Sequence, residues 1–241
     1  MASHLASIYG TEKDKVNCSF FFKIGACRHG DSCSRKHTRP NYSCTMLLPN
    51  LYINPAHDPT CTLTSEQQQQ HFNLFYEDLF VELGKYGEIE LLNICDNIAD
   101  HLIGNVYVRY ADELSAGKAV KDLNNRWYAG RPLFAELSPV TDFREACCRQ
   151  YDMGECNRGG FCNFMHLRKP DSKLEKELFH AQRVSMRLKE EEENSKKEKG
   201  KEKSRSRSPI RRRSKSRDRR SRSRDRDRER RRRSRDRHDR R

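Results

Sequence analysis

Two cysteine–histidine clusters of nearly equal spacing constrain this chain more than any other feature. Cys18, Cys27, Cys33 and His37 read C-x8-C-x5-C-x3-H, and Cys148, Cys156, Cys162 and His166 read C-x7-C-x5-C-x3-H. Three thiolates and one imidazole form a closed tetrahedral set of the kind that holds structural zinc. Loops this short bury little apolar surface, so the metal supplies the folding energy. The local dressing repeats as well. Gly25 and Gly154 each stand two residues before the second cysteine of a set. Aromatics fill the first loops, Phe20, Phe21 and Phe22 in one and Tyr151 in the other.

Ten cysteines also invite a disulfide reading. Three observations oppose it: no apolar signal segment at the start, a length beyond that of a small secreted scaffold, and clusters that do not pair off evenly within themselves. A catalytic zinc site usually keeps one open position, whereas each set here has four ligands. The first ligand of the second set stays open between two adjacent residues. Cys147 gives the x8 spacing of the first set. Cys148 places Tyr151 three residues on, as Phe21 follows Cys18, and is preferred on that ground.

The net charge of +14 over 241 residues is unevenly distributed. Residues 204–241 hold 20 Arg and one Lys against six acids, a balance of +15, which leaves about −1 for the other 203. A like-charged block with almost no apolar residues cannot bury a core, so this tail is expected to be disordered. No apolar run is long enough to span a bilayer, so no membrane role is expected. Cys44, Cys61, Cys95 and Cys147, outside the preferred sets, fit a reducing compartment.

The chain divides into a first finger (1–40), an α+β domain (41–140), a second finger (141–168), a charged helix and linker (169–203) and the tail. The middle stretch has a β-α-β-β-α-β rhythm. Strands are expected over 46–52, 89–94, 103–110 and 133–137, and helices over 72–83 and 114–123. That order is the ferredoxin-like arrangement of an RNA-recognition motif. Leu174, Leu178, Ala181, Val184 and Leu188 give the charged helix an apolar stripe.

The third strand tests the functional side of that fold. Its octamer, Ile103 to Tyr110, keeps the expected Gly104 and the aromatics Tyr107 and Tyr110. The third position, which normally stacks a base, is Asn105, and Leu47 replaces the first-strand aromatic. Stacking contributes about 1–3 kcal/mol per base. A sheet lacking two platforms is expected to bind RNA poorly.

The only Trp of the chain sits in the polar turn Asn125-Arg126-Trp127-Tyr128-Ala129-Gly130. A core tryptophan is the plain reading. A surface Trp beside Arg126, facing the acidic helix positions Glu77, Asp78 and Glu82, makes a partner pocket instead. Those acids equally suit a solvated helix face or the capture of a basic peptide.

Finger, degenerate RNA-recognition domain, finger and Arg-Ser tail together resemble the small-subunit family of the U2 snRNP auxiliary factor (U2AF). Thr11 to His37, Gly104-Asn105-Val106-Tyr107-Val108, Leu123-Asn124-Asn125-Arg126-Trp127 and Glu136 to His166 carry the resemblance. It implies a nuclear pre-mRNA splicing factor that recognises the AG dinucleotide at the 3′ splice site. It implies two zinc ions and a central domain of the U2AF homology motif type. That motif grips a Trp-bearing peptide of the large subunit through an Arg-x-Phe loop, and here Tyr128 stands for the Phe. The resemblance further implies that the fingers bind RNA through Ser34, Arg35, Arg149 and Gln150. Phe20, Phe22, Arg28, Phe161 and Phe164 are further candidates. The tail's Ser-Arg pairs, switchable by phosphorylation, imply contacts with other Arg-Ser splicing proteins. The alternative is a stand-alone finger protein acting in messenger RNA export or decay. No nucleophile–base pair, phosphate loop or open metal site suggests an enzyme.

Overall fold

Along the middle stretch the apolar period switches between 2 and 3.6, and backbone conformation follows it. The computed structural model describes residues 16–205, with side chains to 192. The leader (1–15) and nearly all of the Arg-Ser tail, including its expected disorder and phosphosites, lie outside the described residues.

Helix α1 (Ser19–Ile24) belongs to the first finger. The central domain holds β1 (Thr45–Leu48), α2 (Ser65–Leu83), β2 (Ile89–Cys95), β3 (Val106–Tyr110) and α3 (Glu113–Leu123). A small hairpin, β4 (Trp127–Tyr128) with β5 (Arg131–Pro132), precedes β6 (Glu136–Leu137). The second finger contributes α4 (Phe143–Ala146), α5 (Arg149–Asp152) and the exit strand β7 (Leu167–Arg168). Helix α6 (Ser172–Arg205) follows. The main sheet is antiparallel in the order β6-β1-β3-β2-β7. The exit strand of the second finger therefore extends the sheet of the central domain.

Several boundaries differ from expectation for local reasons. Strand β1 stops at Leu48 because Pro49 has no N–H to donate and Asn50 turns to φ 52°. Strand β3 starts late because Gly104 (φ 61°) and Asn105 form the preceding turn. Asn105, expected at a base-stacking position, is buried; it accepts the Asn50 N–H and donates to the His101 carbonyl. Helix α2 starts seven residues before Phe72, at Ser65, because Thr64 and Gln67 close a reciprocal capping box. Of the expected last strand (133–137) only Glu136–Leu137 pairs; residues 133–135 form no strand, and the hairpin lies before them. The linker expected after the charged helix is helical, since α6 continues to Arg205.

Both faces of the sheet are covered. Met46, Leu48, Val106 and Val108 point into the core beneath α2 and α3. Their neighbours Leu47 and Tyr107 point the other way, into a second core with Ile24 of the first finger and Phe143, Ala146 and Met165 of the second. In a free RNA-recognition motif that face meets RNA. Here the fingers occupy it, and Tyr107, an aromatic the octamer retains, is fully buried.

The repeated glycines reveal how the fingers sit. Gly25 and Gly154 share φ 77°, so a side chain costs about 1–2 kcal/mol of backbone strain at either. Only Gly25 is jammed: a Cβ there would lie 2.6 Å from Ser138 Oγ and 3.0 Å from the Tyr107 ring, while Gly154 faces open space. Gly25→Ala is therefore expected to lose a further 1–3 kcal/mol or so, from overpacking, relative to Gly154→Ala. Chemical denaturation of the two variants measures this. Equal losses would mean the first finger is not seated on Tyr107.

Candidate metal centres, nucleic-acid interface and partner pocket

Each CCCH set gathers its ligand atoms to within 4.8 Å of one another. In the second set the Cys148 sulfur lies 3.7 Å from that of Cys156 and 3.9 Å from that of Cys162. Tetrahedral geometry with Zn–S bonds of about 2.3 Å requires sulfurs about 3.8 Å apart. His37 Nε2 and His166 Nε2 are buried without a hydrogen-bond partner. The Arg35 N–H bonds the Cys33 sulfur and the Arg158 N–H that of Cys156, and both thiols are held below their ordinary pKa. The donor sets fit zinc at both sites.

Of the two adjacent cysteines, Cys148 brings its sulfur to the cluster. Cys147 packs beside the second core, where burial pushes its thiol up to about 11. The repeated aromatic has a structural role. Phe21 stacks on His37 with ring centroids 4.6 Å apart, and Tyr151 on His166 at 3.9 Å, both 11° from parallel. The aromatic three residues after the first ligand thus orients the last.

The two fingers lie side by side. Phe20 meets Phe164 edge-on at 6.4 Å, and Lys23 pairs with Glu145 at 3.3 Å. Between them opens a pocket of about 470 Å³ lined by Arg149, Gln150 and Phe164, together with Lys23, Arg144 and Arg158. The last three were missed by the motif reading; basic residues close to the ligands are the signal that would have found them. Ser34, Arg35, Arg28 and Phe161 are exposed on the finger loops but do not line this pocket. Phe22 is a correction. It is buried edge-on against Phe21 and has no surface to offer a base.

The expected partner residues converge on a second pocket of about 490 Å³ among α2, α3 and the hairpin. Glu77, Asp78, Glu82, Arg126, Trp127 and Tyr128 all line it, over a floor that includes Leu79 and Leu83. Trp127 is 70% exposed, so the core reading fails. Tyr128 packs edge-on against Phe75, and burial, then Asp78, raises its hydroxyl pKa. Glu82 is not free for a basic ligand, because it is ion-paired with both Lys85 and Arg126, which hold its carboxyl below the ordinary value. Glu77 and Asp78 remain exposed.

An RNA-recognition fold whose open sheet face carries two CCCH zinc fingers defines the class. Family models agree: the "Zinc finger C-x8-C-x5-C-x3-H type (and similar)" matches residues 13–39 and 142–168, and the "RNA recognition motif" matches 70–133. The splicing factor U2AF 23 kDa subunit of Schizosaccharomyces pombe is 61% identical over 189 residues, covering 78% of this chain and 88% of that protein. The U2af 38 kDa subunit of Drosophila melanogaster is 58% identical (76% and 73% covered), and the human U2AF 26 kDa subunit 57% (74% and 84%). The chain belongs to the U2AF small-subunit family of splicing factors.

Proposed function

We propose that this chain is the non-catalytic subunit that reads the AG dinucleotide of the 3′ splice site in the nucleus, held there by a large subunit. The carrying observation is the pairing of the fingers over the buried sheet face, which makes one composite surface from two halves. Lys23 of one finger and Arg149, Gln150 and Phe164 of the other share a pocket there. A cleft of that size and charge suits one or two unpaired bases and a phosphate, with an edge of each base available for hydrogen bonding. The near-neutral charge of residues 1–203 offers no broad phosphate-binding stripe, so affinity for RNA alone is modest. A partner bound to neighbouring RNA raises the effective concentration.

The opposite pocket takes that partner. Its apolar floor, Tyr128, exposed Trp127 and the acidic rim suit a Trp-bearing peptide of the large subunit with flanking basic residues. The Arg-Ser tail adds contacts to other Arg-Ser splicing proteins. The stand-alone export or decay reading is not favoured, since it leaves this pocket unused and none of the cited relatives carries it.

RNA binding by the full chain, with and without the large-subunit peptide, tests the reading. Replacing the G of AG leaves a donor or acceptor unpaired at about 1–3 kcal/mol, so binding should weaken roughly five- to 150-fold. Ser34→Ala and Gln150→Ala should alter the preferred flanking bases. Equal affinity for AG and AC RNA would sink the proposal.

A further inference from the structure

The two fingers share a ligand pattern but not an attachment. Among the described residues, the first finger meets the rest through Ile24, Gly25 and Ala26, the Phe20–Phe164 contact and the ion pairs Lys23–Glu145 and Arg39–Glu136. Its backbone hydrogen bonds, such as Cys18 N–H to Lys36 and Lys36 N–H to Val16, stay within the finger. The second finger is bonded into the sheet domain. Strand β7 pairs with β2, the Asp96 N–H donates to the His166 carbonyl at 2.7 Å, and the Ile98 N–H donates to the Gly160 carbonyl at 2.8 Å.

Asn97 completes that attachment. It is fully buried. Its Nδ2 donates to the carbonyls of Cys162 (3.2 Å) and Phe164 (3.1 Å), and its Oδ1 accepts the His166 N–H at 2.8 Å. One side chain of the sheet domain thus holds the turn that presents two of the four ligands. Gly160 permits the approach, since a Cβ there would lie 2.5 Å from Ile98 Cγ1. The equivalent position of the first finger, two residues before its third cysteine, is Asp31, which is exposed. The ligands differ accordingly: Cys162 and His166 are buried, while Cys33 and His37 are half-buried.

We propose that Asn97 is a positioning residue for the second metal centre, so that the sheet domain holds the second zinc more firmly than the first. Groups that orient ligands from outside the coordination shell typically change metal affinity 10–100-fold when removed. The first finger is then the half of the reading surface that is lost first when zinc is scarce. That consequence for RNA rests on the function proposed above; the metal asymmetry does not.

Zinc release from the full zinc-loaded chain into a chromophoric chelator tests it. The unmodified protein should release one zinc quickly and one slowly. Asn97→Ala should speed the slow phase about tenfold and leave the fast phase unchanged. With ¹¹³Cd in both sites, Asn97→Ala should move only one resonance, the one that His37→Ala leaves in place. A single release phase, an unaffected slow phase, or equal acceleration of both phases would overturn the proposal. Should Asn97→Ala fail to fold, hydrogen exchange on the unmodified chain decides. The amides of Ile98 and His166 should exchange far more slowly than those of Cys18 and Lys36, and equal protection would refute it. If the unmodified chain binds no RNA while the release phases differ, the functional reading fails and the role of Asn97 stands.

Discussion

Removing both zinc ions with a chelator at neutral pH is expected to abolish RNA binding, while peptide binding at the opposite pocket survives. A structural zinc contributes about 10–16 kcal/mol in small fingers, comparable with the whole stability of a domain. The fingers contain few apolar side chains of their own, and the Phe21–His37 and Tyr151–His166 stacks depend on the ligand histidines staying in place. Without metal the fingers should therefore lose their fold. Leu47 and Tyr107, now buried beneath them, would become an exposed apolar patch on the sheet. The helix-covered face has its own core of Phe72, Tyr76, Leu79 and Val108 and should persist. The measurements are two zinc per chain before treatment and none after, loss of RNA anisotropy, a gain in binding of an apolar dye, and unchanged calorimetry with the large-subunit peptide. Returning zinc should restore RNA binding. RNA affinity that survives complete metal removal would disprove the composite finger surface.

Trp127→Ala and Tyr128→Ala are each expected to weaken the peptide by about 2–4 kcal/mol, roughly thirty- to a thousandfold, without loss of either zinc. The two act differently. Trp127 is largely exposed, so its removal leaves the free protein nearly intact and the cost appears only in the complex. Tyr128 is half-buried against Phe75, so its removal also opens the pocket wall and should lower stability modestly. Tyr128→Phe keeps the ring and drops a hydroxyl, and should bind at least as well. Arg126 is a third element, because its pairing with Glu82 ties the loop to α2. Calorimetry with the peptide and metal analysis on the same samples separate docking from folding. Unchanged affinity in both Ala variants would move the partner site elsewhere.

Much of this was legible from residue order. The ligand spacings define two metal sites. The switch between periods marks the α+β domain. Asn105 and Leu47 show that the sheet lacks two of the usual base-stacking aromatics. The shifted ends of β1, β3 and α2 share a cause: each depends on a local turn or cap, such as Pro49, Gly104 or the Thr64–Gln67 box, whose effect is stronger than the apolar pattern around it. Three consecutive aromatics look alike in sequence, and only packing tells that Phe21 and Phe22 are inside while Phe20 is exposed.

What the sequence by itself determined is local. Metal ligands, the aromatic that stacks on each histidine and the helix repeats act over a few residues, so spacing encodes them. Only the tertiary structure decided that the fingers lie on the sheet face and close it. It also decided that Cys148 rather than Cys147 faces the metal site, and that Gly25 is jammed while Gly154 is open. Those outcomes rest on contacts between residues far apart in the chain, such as Gly25 with Ser138 and Asn97 with His166. Two copies of one motif carry no mark of which surface each will bury. The single sheet they share breaks that equivalence, because its strand edge and its face offer different partners.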